Sequence, residues 1–190
     1  MHSRSARLTL REFTLADVPA MYALESIPEV ARYQTWPPRT LEKAEETVQA
    51  AIAEAEEVPR VVIEQAVLIT LQLEDNLKTA AADVFIGRAG GRIDADARTA
   101  EVWFEFMPSA GGRGYATEAT GALIRMLREA AESGEVPPFD SVIIECDPRN
   151  ERSRKLAERL GFVMESCTER AFECKGEWVG SMVYTQRLVQ

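Results

Sequence analysis

Three closely spaced glycines are the residues of this sequence with the clearest potential for chemistry. Gly111, Gly112 and Gly114 lie in a short loop that joins a strand-like run to a strongly helical one. Glycine lets a ligand approach the backbone, and the start of a helix offers unpaired N–H groups at the positive end of its dipole. This combination predicts a cradle for an anion such as a phosphate or diphosphate.

Two glutamates lie in the strand that leads into the glycine loop. Glu101 and Glu105 have an even spacing, so both side chains point to one face of the strand, with Trp103 between them. A carboxylate held in this position is a candidate for a general base. The alternative for each is an ordinary solvated glutamate on an exposed strand face, and the sequence leaves both interpretations open.

The composition excludes several classes of protein. A net charge of −9 over 190 residues argues against nucleic acid as a partner. The only histidine, His2, lies in an N-terminal segment that we expect to be frayed, so no positioned imidazole is present for a Ser-His-Asp or Cys-His hydrolase. Three cysteines without a CxxC pair argue against a disulfide framework and against a bound metal. Because we find no apolar run of membrane-spanning length and no signal-peptide pattern, we expect no membrane partner and a cytoplasmic location.

Hydrophobic periodicity and cap signals predict a single domain over 1–190 with a mixed α/β architecture. Consecutive strands occur beside βαβ crossovers, which implies a mixed sheet with helices on both faces. Thr14 with Asp17 and, separately, Thr40 are expected to cap helices, and Asp75-Asn76 to form a turn. Strands are expected over 7–13, 66–73, 84–91, 100–106, 141–146, 162–165 and 179–188, and helices from Thr14 to Glu25, near Pro28, between Thr40 and Pro59, over 115–132 and from Asn150 to Leu160.

Two motifs lie in matching strand-loop-helix contexts. Residues 112–119 read Gly-Arg-Gly-Tyr-Ala-Thr-Glu-Ala, and residues 150–153 read Asn-Glu-Arg-Ser, followed by Leu-Gly-Phe at 160–162. With the opening Arg-Leu-Thr-Leu-Arg at 7–11 and with Asp17, they resemble the GNAT superfamily of acetyl-CoA-dependent N-acetyltransferases, and within it the Rim-type branch of ribosomal-protein N-terminal acetyltransferases. The resemblance covers nearly the whole chain and implies a mostly antiparallel mixed sheet of about seven strands with helices on both faces.

The resemblance implies that acetyl-CoA is the co-substrate and that the glycine loop holds its diphosphate. Gly111 stands where the superfamily has Gln or Arg, so the loop must rely on backbone N–H groups, helped by Arg113. A main-chain N–H at Phe106 or Met107 would face the developing oxyanion. The cofactor-binding residues that the resemblance implies are Phe106, Met107, Gly111, Gly112, Arg113, Gly114, Tyr115, Ala116, Thr117, Asn150 and Ser153.

The resemblance also implies catalytic roles. Glu101 matches a glutamate common in this branch and is the first candidate for the base, directly or through a water, with Glu105 as the second. Ala157 stands where the superfamily has a tyrosine that protonates the leaving thiolate, so Ser153 becomes the candidate acid. The alternative for Ser153 is a first-turn serine that bonds the backbone. Glu118 is expected to complement the helix dipole.

Further charged and aromatic side chains near these motifs each allow two interpretations. Cations around the last helix could meet the 3′-phosphate of CoA or form only a solvated charge run. Three aromatic side chains are candidates for the wall of an acceptor site in the expected loops 26–40 and 166–178, although aromatic residues more often belong to the core. The cations are Arg149, Arg152, Arg154 and Lys155, and the aromatic residues are Tyr33, Trp36 and Trp103.

The sequence therefore predicts an N-acetyltransferase that moves an acetyl group directly from the thioester to a primary amine, with the α-amine of a protein or peptide as the acceptor. Two alternatives stay open, a small-molecule amine acetyltransferase for an aminoglycoside or polyamine and a non-catalytic acyl-CoA-binding module. Arg113-Gly114-Tyr115 does not supply the Gly-Lys-Ser/Thr of a Walker loop, and the glycine loop follows several strands, which argues against a Rossmann fold. A homodimer is compatible with this branch.

Overall fold

The computed structural model describes residues 1–71 and 82–188, so the predicted turn at Asp75-Asn76 lies outside the described residues. Its strands are β1 (His2–Arg4), β2 (Leu8–Arg11), β3 (Val62–Leu71), β4 (Ala82–Asp94), β5 (Thr99–Phe106), β6 (Ser141–Cys146), β7 (Val163–Cys174) and β8 (Glu177–Arg187). Its helices are α1 (Val18–Glu25), α2 (Pro28–Ala31), α3 (Leu41–Glu54), α4 (Tyr115–Ser133) and α5 (Glu151–Arg159), with short 3-10 turns at Leu15–Asp17 and Pro108–Ala110.

The eight strands of the described residues form one sheet in the order β1-β2-β3-β4-β5-β6-β8-β7. Neighbouring strands are antiparallel except for β5 and β6, which are parallel. The mostly antiparallel mixed sheet is therefore confirmed, with one strand more than the seven expected. The additional strand is β1, which pairs with β2 from His2↔Arg11 to Arg4↔Thr9. The expectation of a frayed N-terminus is wrong because β2 supplies backbone partners to this segment.

Alternate residues of the central strands divide between two hydrophobic clusters. Val67 of β3 packs in the cluster that contains Leu123 of α4. Its neighbour Leu68 packs in the cluster that contains Met21 of α1 and Val48 of α3. Because successive side chains of a strand point to opposite faces, α4 lies on one face of the sheet and α1 with α3 on the other. Helices on both faces are thus confirmed.

The predicted N-terminal helix signals are present and set the local chain direction. Asp17 accepts the N–H of Thr14 at 2.8 Å and completes a capping box at the turn that leads into α1. The Thr40 hydroxyl accepts the N–H of Lys43 at the start of α3. Such ends are encoded by neighbouring residues, and they form wherever the neighbouring chain permits.

β7 and β8 form a long hairpin rather than two short strands joined by a loop, so the prediction of a loop over 166–178 is wrong. β7 lies at the edge of the sheet, and its side chains are exposed along nearly its whole length. No alternation of buried and polar residues therefore marks it in the sequence. Register shifts between Met164 and Ser166 and between Thr168 and Phe172 interrupt its pairing with β8.

Candidate active site

A cleft opens in the middle of the sheet between its two parallel strands. β5 and β6 pair only from Thr99↔Ser141 to Glu101↔Ile143. β5 stays paired with β4, and β6 with β8, through to their final residues. Beyond Glu101 the facing edges of β5 and β6 therefore have no strand partner, and their backbone polar groups line a cleft beside the glycine loop.

The last residue of β5 directs its backbone N–H toward this cleft. The Met107 N–H donates to the carbonyl of Ile86 at 2.8 Å, so it is occupied. Phe106 pairs with Gly87 in the preceding register position. Since N–H groups alternate between the two edges of a strand, the Phe106 N–H points toward β6 and the cleft. Of the two predicted oxyanion donors, Phe106 is the one with an available N–H.

The glycine loop leaves the start of α4 without a side-chain cap. Gly112 and Gly114 have φ of 74° and 76°, in the left-handed region that glycine adopts without strain. Gly114 is the N-cap of α4, and no side chain caps this helix start. The N–H groups of Tyr115, Ala116 and Thr117 have no intrahelical acceptor at this position. The predicted cradle of backbone donors is therefore present in the geometry of the loop.

Gly111 and Arg113 have different surroundings from the other loop residues. Gly111 has extended backbone, with φ of −63° and ψ of 157°, and its N–H donates to Pro108 at 3.0 Å. A Cβ at Gly111 would lie 3.0 Å from the same carbonyl oxygen. The side chain of Arg113 is exposed, and its carbonyl accepts a hydrogen bond from Arg7 at 3.0 Å.

Glu118 does more than complement the dipole of α4. Its Oε1 accepts hydrogen bonds from the Ser5 hydroxyl at 2.6 Å and the Arg7 N–H at 2.9 Å, and its Oε2 accepts from Arg7 Nε at 2.7 Å. Burial alone raises the pKa of Glu118, but these hydrogen bonds and the Arg7 charge outweigh it and lower the pKa. Sequence reasoning missed Ser5 and Arg7, which are more than a hundred positions away along the chain.

Glu101 is half-buried. The helices α1 and α3 do not cover it, because their main contacts with the sheet are to β3 and β4. Burial raises the pKa of Glu101, the negative charge of Glu145 raises it further, and Arg92 partly opposes both effects. Among the described residues no hydrogen bond or ion pair ties down its carboxylate. Glu101 is thus a carboxylate that can exchange a proton. Glu145 was not predicted.

Glu105 is buried and held by one arginine. Arg88 Nε donates to Oε2 of Glu105 at 3.2 Å, and Nη2 donates to Oε1 at 2.9 Å. The same guanidinium lies 3.3 Å from a carboxylate oxygen of Glu64 and 3.2 Å from one of Glu25. Trp103 donates its indole N–H to Glu64 at 3.0 Å. Glu105 therefore belongs to a buried charge cluster, and the partly buried Trp103 is hydrogen-bonded to a member of that cluster.

Asn150 and Ser153 lie at the start of α5, as predicted. Asn150 is the N-cap, and its Oδ1 accepts the N–H of Ser153 at 3.2 Å. Ser153 is partly buried, and Ala157, one turn further on, is fully buried in the core. Because residue 157 is alanine, no tyrosine hydroxyl stands there, and within α5 itself the hydroxyl side chain is that of Ser153.

The cations around α5 already have partners within the chain. A 3′-phosphate would have to compete with these groups, so its contact with them stays a prediction. Arg149 meets Asp147 and Glu177, Arg152 meets Glu29, Arg154 donates to the carbonyl of Pro148, and Lys155 meets Glu151.

Tyr33 and Trp36 lie in the segment between α2 and α3, beside the tip of the β7–β8 hairpin. The Tyr33 hydroxyl donates to the carbonyl of Arg149 at 3.3 Å. Trp36 is stacked by the guanidinium of Arg39, 4.6 Å from the ring centroid. Lys175 at the hairpin tip donates to two carbonyls at the end of α2. The expected acceptor segments are thus in contact with each other.

Three further findings concern residues 1–71 and 82–188. None of their helices is long and apolar enough to cross a bilayer. They contain no group of three or more His, Cys, Asp or Glu side chains arranged to hold a metal. Cys146, Cys167 and Cys174 are free thiols, and burial raises the pKa of Cys146 to about 11.

Comparison with known proteins assigns the family. Residues 7–163 match the Acetyltransferase (GNAT) domain. The ribosomal-protein-serine acetyltransferase of Escherichia coli K12 is 35% identical over 80 residues, which are 42% of this chain and 41% of the relative. The match therefore spans about two fifths of that relative's length.

Two solved structures share the fold over almost the whole chain. A GNAT-family acetyltransferase from Bacillus anthracis has a TM-score of 0.76 at 20% identity and covers 98% of both chains. The ribosomal L7/L12 α-N-protein acetyltransferase RimL in complex with coenzyme A has a TM-score of 0.77 at 18% identity, covering 99% of this chain and 98% of the other. Because the domain match covers most of the sequence, the chain belongs to the GNAT acetyltransferase family, as the motifs predict. That family uses acetyl-CoA.

Proposed function

We propose that this protein is an N-acetyltransferase that moves an acetyl group from acetyl-CoA directly to the α-amine of a protein or peptide. The observation that carries the proposal is the uncapped start of α4 beside the cleft between β5 and β6. A helix N-terminus that is reached through glycines and has no capping side chain suits a diphosphate. Membership of the GNAT family supports the donor, and the ribosomal-protein relative supports a protein amine.

The residues of the loop and the cleft fit the donor. Backbone N–H groups from Gly114 to Thr117 would hold the diphosphate, and the unpaired edge of β5 would bind the pantetheine arm. When bound, acetyl-CoA supplies the acetyl group as an activated thioester. The Phe106 N–H would donate to the thioester carbonyl oxygen and stabilise the negative charge that develops on it.

The two proton transfers fall to different side chains. The Glu101 carboxylate would take a proton from the acceptor ammonium, directly or through a water, and its raised pKa brings it closer to the pH at which it must work. Glu105 is disfavoured as the base because both of its oxygens are bonded to Arg88. The Ser153 hydroxyl would donate a proton to the departing sulfur while it takes up the proton that the attacking nitrogen releases, so that the thiol and the amide form and the hydroxyl is restored.

The surroundings of Glu101 suit a cationic acceptor. Glu145 on β6 shares its face of the sheet, because Glu101 is opposite Ile143 and Glu145 follows two residues later. Two carboxylates attract an ammonium group whether it belongs to a peptide or to a polyamine. Thiol release with each kind of amine distinguishes these two acceptors. The homodimer, the cytoplasmic location and the single domain over 1–190 stay predictions.

The loop assignment is tested with Gly114→Val. A β-branched residue is strained at a φ of 76°, and its Cβ would lie 3.6 Å from Nη2 of Arg7. We expect the Kd for CoA, measured by calorimetry, to rise by about a hundredfold through lost hydrogen bonds to the diphosphate. Gly134→Val is the matched control, since it creates the same strain at a φ of 79° at the other end of α4. An equal rise in both variants would contradict the assignment.

The acceptor is tested by thiol release from acetyl-CoA with a matched pair of peptides, one with a free N-terminal amine and one with that amine blocked. We expect release and a single acetyl group by mass spectrometry only for the free peptide. Release with polyamines or aminoglycosides alone would establish the small-molecule alternative. Binding of acetyl-CoA without release for any amine would establish the non-catalytic module.

A further inference from the structure

The segment between β1 and β2 reaches across to the start of α4. The guanidinium of Arg7 donates from Nε to Glu118 at 2.7 Å and from Nη1 to the carbonyl of Arg113 at 3.0 Å. It also stacks over the ring of Tyr115, 4.6 Å from the centroid. One side chain thus contacts the residue before the N-cap, the first residue of α4 and the end of its first turn.

The position of Arg7 is itself fixed by Glu118. Both oxygens of this carboxylate are occupied, one by Nε of Arg7 and the other by the Arg7 N–H and the Ser5 hydroxyl. The Glu118 side chain is 17% exposed and that of Arg7 is 47% exposed. The guanidinium is therefore anchored at the rim of the loop rather than free in solvent.

The contact with Arg113 determines which way a peptide group of the loop points. In a trans peptide the carbonyl and the following N–H point in opposite directions. Since Arg7 holds the Arg113 carbonyl, the Gly114 N–H is directed away from Arg7. A carbonyl that turned into an anion site would repel the anion, so this contact keeps the correct end of the peptide toward the site.

Stabilisation of the free helix does not explain the position of this cation. A positive charge beside a helix N-terminus is opposed by the helix dipole, and α4 begins at Tyr115. The Glu118 carboxylate offsets this unfavourable interaction with the dipole, but the positive charge of Arg7 remains at the start of the helix. A guanidinium at this end is favourable once an anion is bound there.

We propose that Arg7, braced by Glu118, is a positioning residue of the diphosphate loop that holds the Arg113–Gly114 peptide in its anion-binding orientation. The inference rests on the proposed function, because it concerns the same loop. It adds to the loop a residue from the connection between β1 and β2, which is distant in sequence and meets the loop only in the folded chain.

The test compares Arg7→Ala with Arg4→Ala, a matched control because Arg4 is an exposed arginine at the end of β1, three residues before Arg7. We expect the Kd for CoA, measured by calorimetry, to rise about tenfold for Arg7→Ala and to stay within twofold for Arg4→Ala. Arg7→Lys should recover only part of the affinity, since an ammonium cannot bond the carbonyl and Glu118 in the same fork geometry.

A second measurement separates positioning from general damage to the fold. With acetyl-CoA, Arg7→Ala should raise KM about tenfold and change kcat less than twofold. With acetyl-pantetheine, which lacks the diphosphate, kcat/KM should equal that of the parent. Equal losses with both donors, or an unchanged Kd for CoA, would overturn the inference alone. A parent chain that binds no CoA would overturn the proposed function and this inference together.

Discussion

Along one face of β5 the sheet is accessible beside Glu101 and covered beside Glu105. Glu101 is half-buried, with Arg92 and Glu145 as its charged neighbours. Glu105 is 6% exposed and bonded twice to Arg88. The two residues are chemically identical, share a strand and share a face. The difference shows that the cover provided by other elements, rather than residue type or register, decides whether a carboxylate can exchange protons.

The covered region is a network of charged side chains beneath α1, which packs on this face of the sheet. Glu25, at the end of α1, is fully buried, and its carboxylate accepts no hydrogen bond among the described residues. It relies on ion pairs with Arg88 at 3.2 Å and Arg39 at 3.6 Å. Burial raises the pKa of Glu25 and of Glu64, and Arg88 opposes the rise in both. Arg88 is thus the residue on which the covered region depends.

Removing Arg88 should break the covered region and produce the largest effect. Arg88→Met leaves buried carboxylates without their shared cation, which costs about 3–5 kcal/mol of unfolding free energy at neutral pH. Urea denaturation measures the loss. Arg92→Met, at an exposed position of the same strand, is the control and should change stability by less than about 0.5 kcal/mol.

The pH dependence of this variant has a defined sign. Without Arg88 the pKa of Glu25 and of Glu64 rises further, above the unfolded value of about 4.3. Groups whose pKa is higher in the folded state take up protons on folding. Their contribution to stability is therefore present at low pH and is lost as the pH rises through the folded pKa. The difference in unfolding free energy between the parent and Arg88→Met should therefore become smaller as the pH falls below neutrality. If that difference in unfolding free energy were the same at every pH, the loss of stability could not be assigned to these carboxylates.

Glu101→Gln and Glu105→Gln sharpen the comparison directly. If Glu101 is the base, its amide variant should lose about a hundredfold in kcat at neutral pH while the Kd for CoA stays within twofold. Glu105→Gln should lower the unfolding free energy and leave kcat within about threefold, because Glu105 holds Arg88 rather than a substrate proton. Equal losses of kcat in both variants would remove the functional distinction between the two glutamates.

The smallest effect is expected from Glu145→Gln. The charge of Glu145 adds to burial in raising the pKa of Glu101, so its removal lowers that pKa. The acid limb of the kcat/KM profile should therefore move to lower pH. Glu165→Gln is the control, since Glu165 accepts a hydrogen bond from Thr185 and is not among the charges that act on Glu101. A collapse of kcat in Glu145→Gln would instead identify Glu145 as the base.

Features encoded by neighbouring residues could be predicted from the sequence. The left-handed glycines before α4, the capping box at Thr14 and the Asn150 cap each depend on a few consecutive positions. The alternation of β5 also placed Glu101 and Glu105 on one face correctly, because strand periodicity is local. These signals were sufficient to locate the loop and the strand that enters it.

Features that depend on distant partners could not be predicted in the same way. Arg88 gathers glutamates from α1, β3 and β5, and in sequence each of them is an ordinary polar residue of its own element. Arg7 meets Glu118 only because β1 and β2 pack beside α4. The occupied N–H of Met107 depends on the register with β4. Such contacts follow from tertiary packing, for which composition and periodicity carry no signal.

The interrupted pairing of β7 has a consequence for how the molecule behaves in crowded solution. A flat, exposed edge strand of 12 residues would ordinarily invite another chain to add a strand and begin an aggregate. Here the regularly paired runs are only 163–164, 166–168 and 172–174, separated by extra residues that bend the edge. Such extra residues make the edge a less regular template for an added strand, at the expense of regular pairing with β8.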